Sequence, residues 1–332
     1  VPTVGHALAW GVSISGVFQL ALLVVAVRRA GMRITLPRPR LTPRIRTLLR
    51  KMGPGVLGAG VTQVNMSVDV IIATLLPAGT ASILYYADRL NQLPLGVIGI
   101  AVGTALLPRL SRAVAAAEVG GDVRAPQDML NQAIGYALVL TLPAALALVA
   151  VGVPVVDVLF RRGAFDAATV ALTAQALAAY AIGLPGFVLI RVLTPAFFAR
   201  GDTAMPVKIG LWCIALNLAL NVVLMGPLQH MGPPLAASIS TWVNVAALVV
   251  VLVRRGHMLA DRALLLGIAR MLAAGAVMLV ALWALQRLAY APLAGDALWR
   301  WAGLAMLVGG GMLAYALAAA ALGLHRVLRR RD

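Results

Sequence analysis

Tyr85-Tyr86-Ala87-Asp88-Arg89-Leu90-Asn91-Gln92-Leu93-Pro94 puts an acid and an arginine inside a run that is otherwise apolar from about Ile83 to Leu107. A charge at the middle of a bilayer costs about 2.5–3.5 kcal/mol on insertion scales, so one that stays there is a candidate functional group. At helical spacing Tyr85, Asp88, Arg89 and Gln92 share one stripe, which Gly96, Gly99 and Gly103 extend. The opposite face is Ile, Leu and Val. A face that is polar and then very small meets other helices or a watery cavity rather than lipid. The competing reading is an Asp88–Arg89 pair buried only to fix helix packing.

The rest of the chain sets this stretch in a membrane. Of 332 residues, 61% are hydrophobic and only 12% charged, with a mean hydropathy of +0.93, which excludes a soluble globular domain. A span needs about 20 apolar residues. Nine such runs occur, at roughly 5–27, 54–76, 82–107, 133–152, 167–193, 205–225, 234–253, 264–286 and 298–322. The expected fold is therefore all-α, a polytopic membrane protein with nine transmembrane helices.

A net charge of +17 could suggest nucleic acid, but the cations sit in short loops between spans. Of the 28 lysines and arginines, 21 fall in alternate loops: 28–51, 108–130, 199–208, 254–263 and the tail after 322. The opposite loops hold Arg161, Arg162, Arg287 and Arg300, while Arg89, Arg191 and Arg270 lie within or at the ends of spans. By the positive-inside rule the first set is cytoplasmic, with the C-terminus inside and residue 1 outside. No nucleic-acid partner is expected. The most basic loop carries Leu41, Ile45, Leu48, Leu49 and Met52 opposite Arg44, Arg46, Arg50 and Lys51, an amphipathic helix suited to anionic membrane lipids. The opening Val1-Pro2-Thr3, without Met or signal peptide, reads as the start of a fragment whose earlier spans precede it.

Further polar residues lie inside spans. The first span has Ser13, Ser15, Gly16 and Gln19; the second has Gln63, Asn65 and the acid Asp69. The third span is expected to be broken by Pro94, and the fifth kinked at Gly183-Leu184-Pro185-Gly186. Asn217 and Asn221 stand one turn apart in the sixth span, and Ser238, Ser240, Thr241 and Asn244 lie in the seventh. Spans eight and nine are plainer and read as lipid-facing. The single Cys213 allows no disulfide within the chain. There is no His-Glu-x-x-His, Cys-x-x-Cys or phosphate loop, and no loop clusters the carboxylates a membrane transferase would use for Mg²⁺. Many spans, Pro- and Gly-interrupted helices and a few intramembrane charges point to a transporter working by alternating access, not to an enzyme. Arg89 is a planar donor fork suited to phosphate, so the substrate is expected to be at least partly anionic.

Three separated stretches carry a family resemblance. They are Tyr85-Tyr86-Ala87-Asp88-Arg89-Leu90 with Leu93-Pro94, Gly96-Val97 and Leu107-Pro108-Arg109-Leu110-Ser111; Leu159-Phe160 with Gly163 and Phe165; and Phe198-Ala199-Arg200 with Asp202-Thr203 and Pro206-Val207-Lys208. Together they resemble the MurJ (MviN) family of bacterial lipid II flippases, within the multidrug/oligosaccharidyl-lipid/polysaccharide exporter superfamily. The resemblance covers essentially the whole chain. Family members have fourteen spans, so nine here implies the C-terminal portion, with the missing N-terminal spans as its partner. The implied domains are 1–27, the last helix of the first lobe; 28–53, a basic cytoplasmic linker with the amphipathic helix; 54–253, a second six-helix lobe; and 254–332, two extra helices forming a lipid-tail groove, with a basic tail.

The implied function is to move lipid II, an undecaprenyl-diphosphate-linked disaccharide-peptide, from the inner to the outer leaflet of the cytoplasmic membrane for peptidoglycan synthesis. Arg89 stands where the family has an essential arginine, and the substrate-binding candidates are Tyr85, Asp88, Arg89, Gln92 and Arg191. No cofactor is expected apart from Na⁺ as a coupling or structural ion, with Asp69, Asn217, Asn221 and a hydroxyl from Thr241 or Ser238 as its candidate ligands. Oxygen ligands of this kind suit a hard cation. The alternative for these residues is amide hydrogen bonding between helices, worth about 0.6 kcal/mol on average. Two rival functions stand beside the flippase: an exporter of other polyprenyl-linked oligosaccharides or of drugs, and a non-transporting membrane fragment.

Overall fold

The computed structural model describes residues 4–31, 45–46, 71–122, 124–259, 261–290 and 297–324. The chain is an all-α, multi-pass membrane protein. Among the described residues six segments are long and apolar enough to cross a membrane: Gly5–Arg29, Ala125–Ala150, Ala167–Phe198, Ala204–Arg254, Arg262–Leu288 and Trp299–Ala321. The fourth is a hairpin of two helices. Of the second expected span only 71–76 are described, of which 71–75 are helical; Asp69 lies outside the described residues, as does the amphipathic helix of the basic loop apart from Ile45 and Arg46.

Two compact units divide the chain, 1–57 and 58–332. In the first, helix α1 (Val4–Arg29) is apolar and ends on Arg28 and Arg29, cations suited to a helix C-terminus. Within it the Ser13 hydroxyl donates to the Ala9 carbonyl at 3.1 Å, satisfying itself without a partner helix.

The second unit holds α2 (Thr80–Glu118), α3 (Ala125–Ala150), the short α4 (Gly152–Phe160), α5 (Ala167–Phe198), α6 (Ala204–Leu228), α7 (Gly232–Arg254), α8 (Arg262–Leu285) and α9 (Ala297–Ala321). Helix α5 is the centre, packed against α2, α3, α4 and α7. Its sequence explains why. Alanine and glycine recur along it, and lipid tails give helices no hydrophobic reason to associate, so close approach through small residues drives packing. At Gly183 an added Cβ would come 2.9 Å from the Ser238 Cα, and at Gly186 it would come 2.8 Å from the Thr241 Cγ2. Backbone meets backbone at Gly183, and at Gly186 the missing side chain leaves room for the Thr241 methyl of α7.

Helix α2 departs from the expectation at Pro94. It runs for 39 residues through Pro94 and Pro108 without a break, roughly 58 Å at 1.5 Å per residue, against a hydrocarbon core of about 30 Å. Proline removes one ladder bond, yet packing around it holds the helix. Leu90 and Asn91 before Pro94, and Leu106 and Leu110 around Pro108, are all buried. The helix therefore extends past the expected end at Leu107, where Val114 still packs into the unit. Likewise α3 starts at Ala125 rather than 133, because Gln127 Nε2 and Asn131 Nδ2 bond the carbonyls of Gly256 (2.6 Å) and Leu259 (2.8 Å).

Helices α8 and α9 are largely exposed, as expected of lipid-facing spans, but each carries a packing stripe. Met271, Ala274, Met278 and Leu282 are buried on α8. Gly275 receives Leu146 of α3, and Gly310 and Gly311 of α9 receive Leu285 and Leu282.

The loops sort by charge to opposite ends. Arg255, after α7, is 2.6 Å from Asp202, between α5 and α6, and α3 is tied to the 256–259 loop. These are the arginine-rich connections. At the other end Tyr86 packs on Phe160 and Phe165, and Arg300 approaches Asp157.

Candidate functional site

The polar stripe of α2 forms one connected group. Arg89 Nη1 donates to Gln92 Oε1 at 3.1 Å, and Gln92 Nε2 donates in turn to Asp88 Oδ2. The Arg89 guanidinium lies 4.9 Å from the centre of the Tyr85 ring, a cation–π contact. Asp88 and Arg89 make no direct ion pair. Consecutive residues on a helix do not face each other, and Gln92, one turn on, bridges them instead. The picture of a simple buried pair gives way to a three-residue relay that presents the guanidinium.

This stripe lies on the uncovered side of the unit. Arg89, Gln92 and Tyr85 are exposed, Tyr85 to 55%, and Asp88 is half-buried, while Ile83, Leu84, Ala87 and Leu90 on the reverse face are buried against α4 and α5. A Cβ on Gly96 would meet nothing within 4 Å, so the open surface continues to that residue. Tyr86 turns the other way, between Phe160 and Phe165 at centroid distances of 4.7 and 5.5 Å, and pins the outer part of α2.

Arg191 does not join this group. It is exposed on α5, but Leu90 packs in one cluster with Ala174 and Leu177, whereas Val188, Leu189 and Val192 pack with Leu106 and Leu110. Arg191 therefore stands about fifteen residues further along the bundle, roughly 22 Å at 1.5 Å per residue.

The candidate cation ligands are split between two interfaces. Asn217 and Asn221 are buried with Ile209 and Cys213 at spacings of four, a stripe on α6. Asn221 Nδ2 donates to Asn217 Oδ1 at 3.0 Å, and Ser240 Oγ of α7 donates to the Cys213 carbonyl at 2.9 Å. Ser238 and Thr241 turn towards α5: Ser238 Oγ donates to the Ala179 carbonyl at 2.6 Å and Thr241 faces Gly186. A sodium ion would find neutral oxygens here, already serving helix contacts; Asp69, the one acidic candidate, lies outside the described residues. Among the described residues no three His, Cys, Asp or Glu side chains could share a metal ion.

The sequence reading passed over two features. Asn91 is 2% exposed and its Oδ1 accepts no bond among the described residues; its place within the decapeptide was the available signal. The third resemblance motif is a structural latch. Arg200 Nη1 bonds the Ala196 carbonyl at 2.8 Å, and Asp202 accepts from the Met205 amide at 3.0 Å and from Arg255. The Arg255 bond holds the Asp202 carboxyl below the usual carboxylate range.

The sequence pattern described as "Lipid II flippase MurJ" matches residues 2–299. The chain belongs to the lipid II flippase MurJ family. A relative from Rhizobium meliloti named "Probable lipid II flippase MurJ" is 43% identical over 280 residues, 84% of this chain and 51% of the relative. One of the same name from Rhizobium tropici is 41% identical over 271 residues, 82% of this chain and 50% of the relative. A solved structure titled "Lipid II flippase MurJ, inward closed conformation" matches with a TM-score of 0.69 at 21% identity, covering 85% of this chain and 56% of that one. At that identity it shows the shared MurJ fold. The chain spans about half the length of the curated relatives it matches.

Proposed function

We propose that this chain forms the second lobe and the two extra helices of a lipid II flippase, which moves an undecaprenyl-diphosphate-linked peptidoglycan precursor across the bacterial inner membrane. The observation that carries this reading is the Tyr85–Asp88–Arg89–Gln92 group on the uncovered face of α2. A guanidinium held by a glutamine and a tyrosine ring offers a positioned fork to a diphosphate, and bidentate arginine–phosphate bonds are among the strong ones. The arginine-rich end of the bundle is then the cytoplasmic one, with the C-terminus inside. Arg191, nearer that end, would meet the substrate at a different stage of its passage than Arg89. The last two helices would take the lipid tail.

Alternating access needs two bundles rocking about a central site. The chain alone should therefore not transport, whereas a chimera in which it replaces the matching part of the Rhizobium meliloti relative should. Proteoliposomes with fluorescent lipid II test this. Transport by the isolated chain at the rate of the chimera would remove the two-lobe requirement. Absence of transport in a well-inserted chimera would remove the flippase reading.

A further inference from the structure

Only four cations belong to the sparsely charged end of the bundle, and the fold gathers three of them. Arg161, Arg162 and Arg300 line a cleft of about 240 Å³ together with Asp157, Val158 and Trp301. Asp157 is the one carboxylate among the described lining residues. Its Oδ1 accepts from Arg161 Nη1 at 3.0 Å and its Oδ2 is 3.5 Å from Arg300 Nη1. Arg162 Nη2 donates to the Leu159 carbonyl at 2.7 Å. Among the described lining residues three guanidiniums face one carboxylate, an excess of positive charge. Among the described residues Arg161, Arg162 and Arg300 each make one hydrogen bond, of the five N–H donors a guanidinium carries. Tyr290 adds no negative charge, since burial first and Asp157 second push its hydroxyl up from the ordinary value.

The position of the cleft selects its ligand. It lies where α4 ends and α9 begins, beside Trp301 and near Trp299, both half-exposed, and tryptophan favours the membrane–water boundary. That is the depth of lipid headgroups. The volume is smaller than a drug-sized pocket of about 300–1,000 Å³, which suits a phosphate and its linkage rather than a whole small molecule. Planar guanidinium forks match phosphate oxygens in pairs. We infer that the Arg161–Arg162–Arg300 cleft binds the phosphate of a lipid headgroup in the leaflet at this end of the bundle. The inference rests on the membrane-spanning fold and is read by binding alone, so it stands or falls separately from transport.

Native mass spectrometry of the full chain in detergent tests it, with phosphatidylglycerol, undecaprenyl diphosphate, diacylglycerol and inorganic phosphate as probes. The chain should retain one or both phosphate-bearing lipids and release diacylglycerol; the better-retained lipid tells whether the source is the bilayer or a polyprenyl carrier. Arg162→Gln removes a charge but no side-chain partner, and should weaken retention about tenfold. Asp157→Asn, which removes the competing carboxylate, should strengthen it, whereas a merely structural ion-pair cluster would gain nothing. Arg112→Gln at the opposite end should leave retention unchanged. Equal retention by Arg162→Gln and the parent, at equal melting temperature, would overturn the site. Inorganic phosphate binding as tightly as the lipids would overturn its assignment to a headgroup.

Discussion

Arg255 Nη1 lies 2.6 Å from Asp202 Oδ2, joining the end of α7 to the turn between α5 and α6. The other oxygen of the same carboxylate accepts from the Met205 amide at the start of α6. Asp202 therefore caps one helix and tethers another. An exposed ion pair is worth about 0.2–1 kcal/mol and a helix cap about 1 kcal/mol. Asp202→Ala should lower the melting temperature more than Arg255→Gln, because the cap survives in the latter. Thermal unfolding in detergent orders the two; equal losses would mean the cap contributes nothing.

At the same end, His257 is held below its ordinary pKa, first by burial and then by Arg200 and Arg255. A histidine depressed in the folded state favours the neutral form. Its contribution is full above the unfolded value of about 6.5 and is lost as pH falls through the folded value. Melting temperature should therefore drop on acidification below about pH 6.5, and His257→Gln should flatten that part of the curve. An unchanged slope in the variant would assign the acid sensitivity elsewhere.

The α5–α7 crossing gives a sharper test of packing. Gly183→Ala forces a Cβ to within 2.6 Å of the Ser238 Oγ and 2.9 Å of its Cα. Backbone cannot yield as a side-chain end can, so the cost should be about 1–3 kcal/mol. Gly210→Ala, with nothing within 4 Å of the added carbon, should be neutral or mildly stabilising. Similar melting temperatures for the two variants would contradict the crossing.

This crossing also marks where the sequence was hard to read. Its signals are Gly183, Gly186, Ser238 and Thr241, small residues that any apolar span can carry, and only the fold assigns them to one another. Seven of the nine expected spans correspond to the six membrane-long apolar segments among the described residues, because hydrocarbon thickness imposes a length on apolar runs. Helix ends were not. Residues 108–118 of α2 fall below membrane hydropathy, and Pro108 suggested a stop, but Ala113, Ala115, Ala116 and Ala117 favour helix, and Leu110 and Val114 are buried. The polar stripe at Tyr85, Asp88, Arg89 and Gln92 followed from spacing alone. Its wiring through Gln92 needed coordinates, since spacing says which residues share a face and not which of them bond. Nor could loop counts show that Arg161, Arg162 and Arg300 converge.

For the cation, Asp69→Asn should abolish any stabilisation of the solubilised protein by Na⁺, because a bound ion raises stability by RT ln(1 + [L]/Kd). Asn217→Ala should weaken the same response and also cost stability without Na⁺, since it removes the acceptor of the Asn221 amide. A response to Na⁺ that survives Asp69→Asn would leave Asn217 and Asn221 as a helix-packing pair only.

Arg89 carries the central claim, and growth of a flippase-depleted strain on the Rhizobium-based chimera tests it. The parent chimera should restore growth. Arg89→Lys should not, although the charge is kept, because an ammonium cannot offer two parallel donors or stack its plane on Tyr85. The double variant Asp88→Asn with Arg89→Gln leaves no orphan charge, so a residue pair that served only packing would tolerate it. We expect no growth with that variant at parental protein levels. Full growth would contradict a substrate-binding role for Arg89.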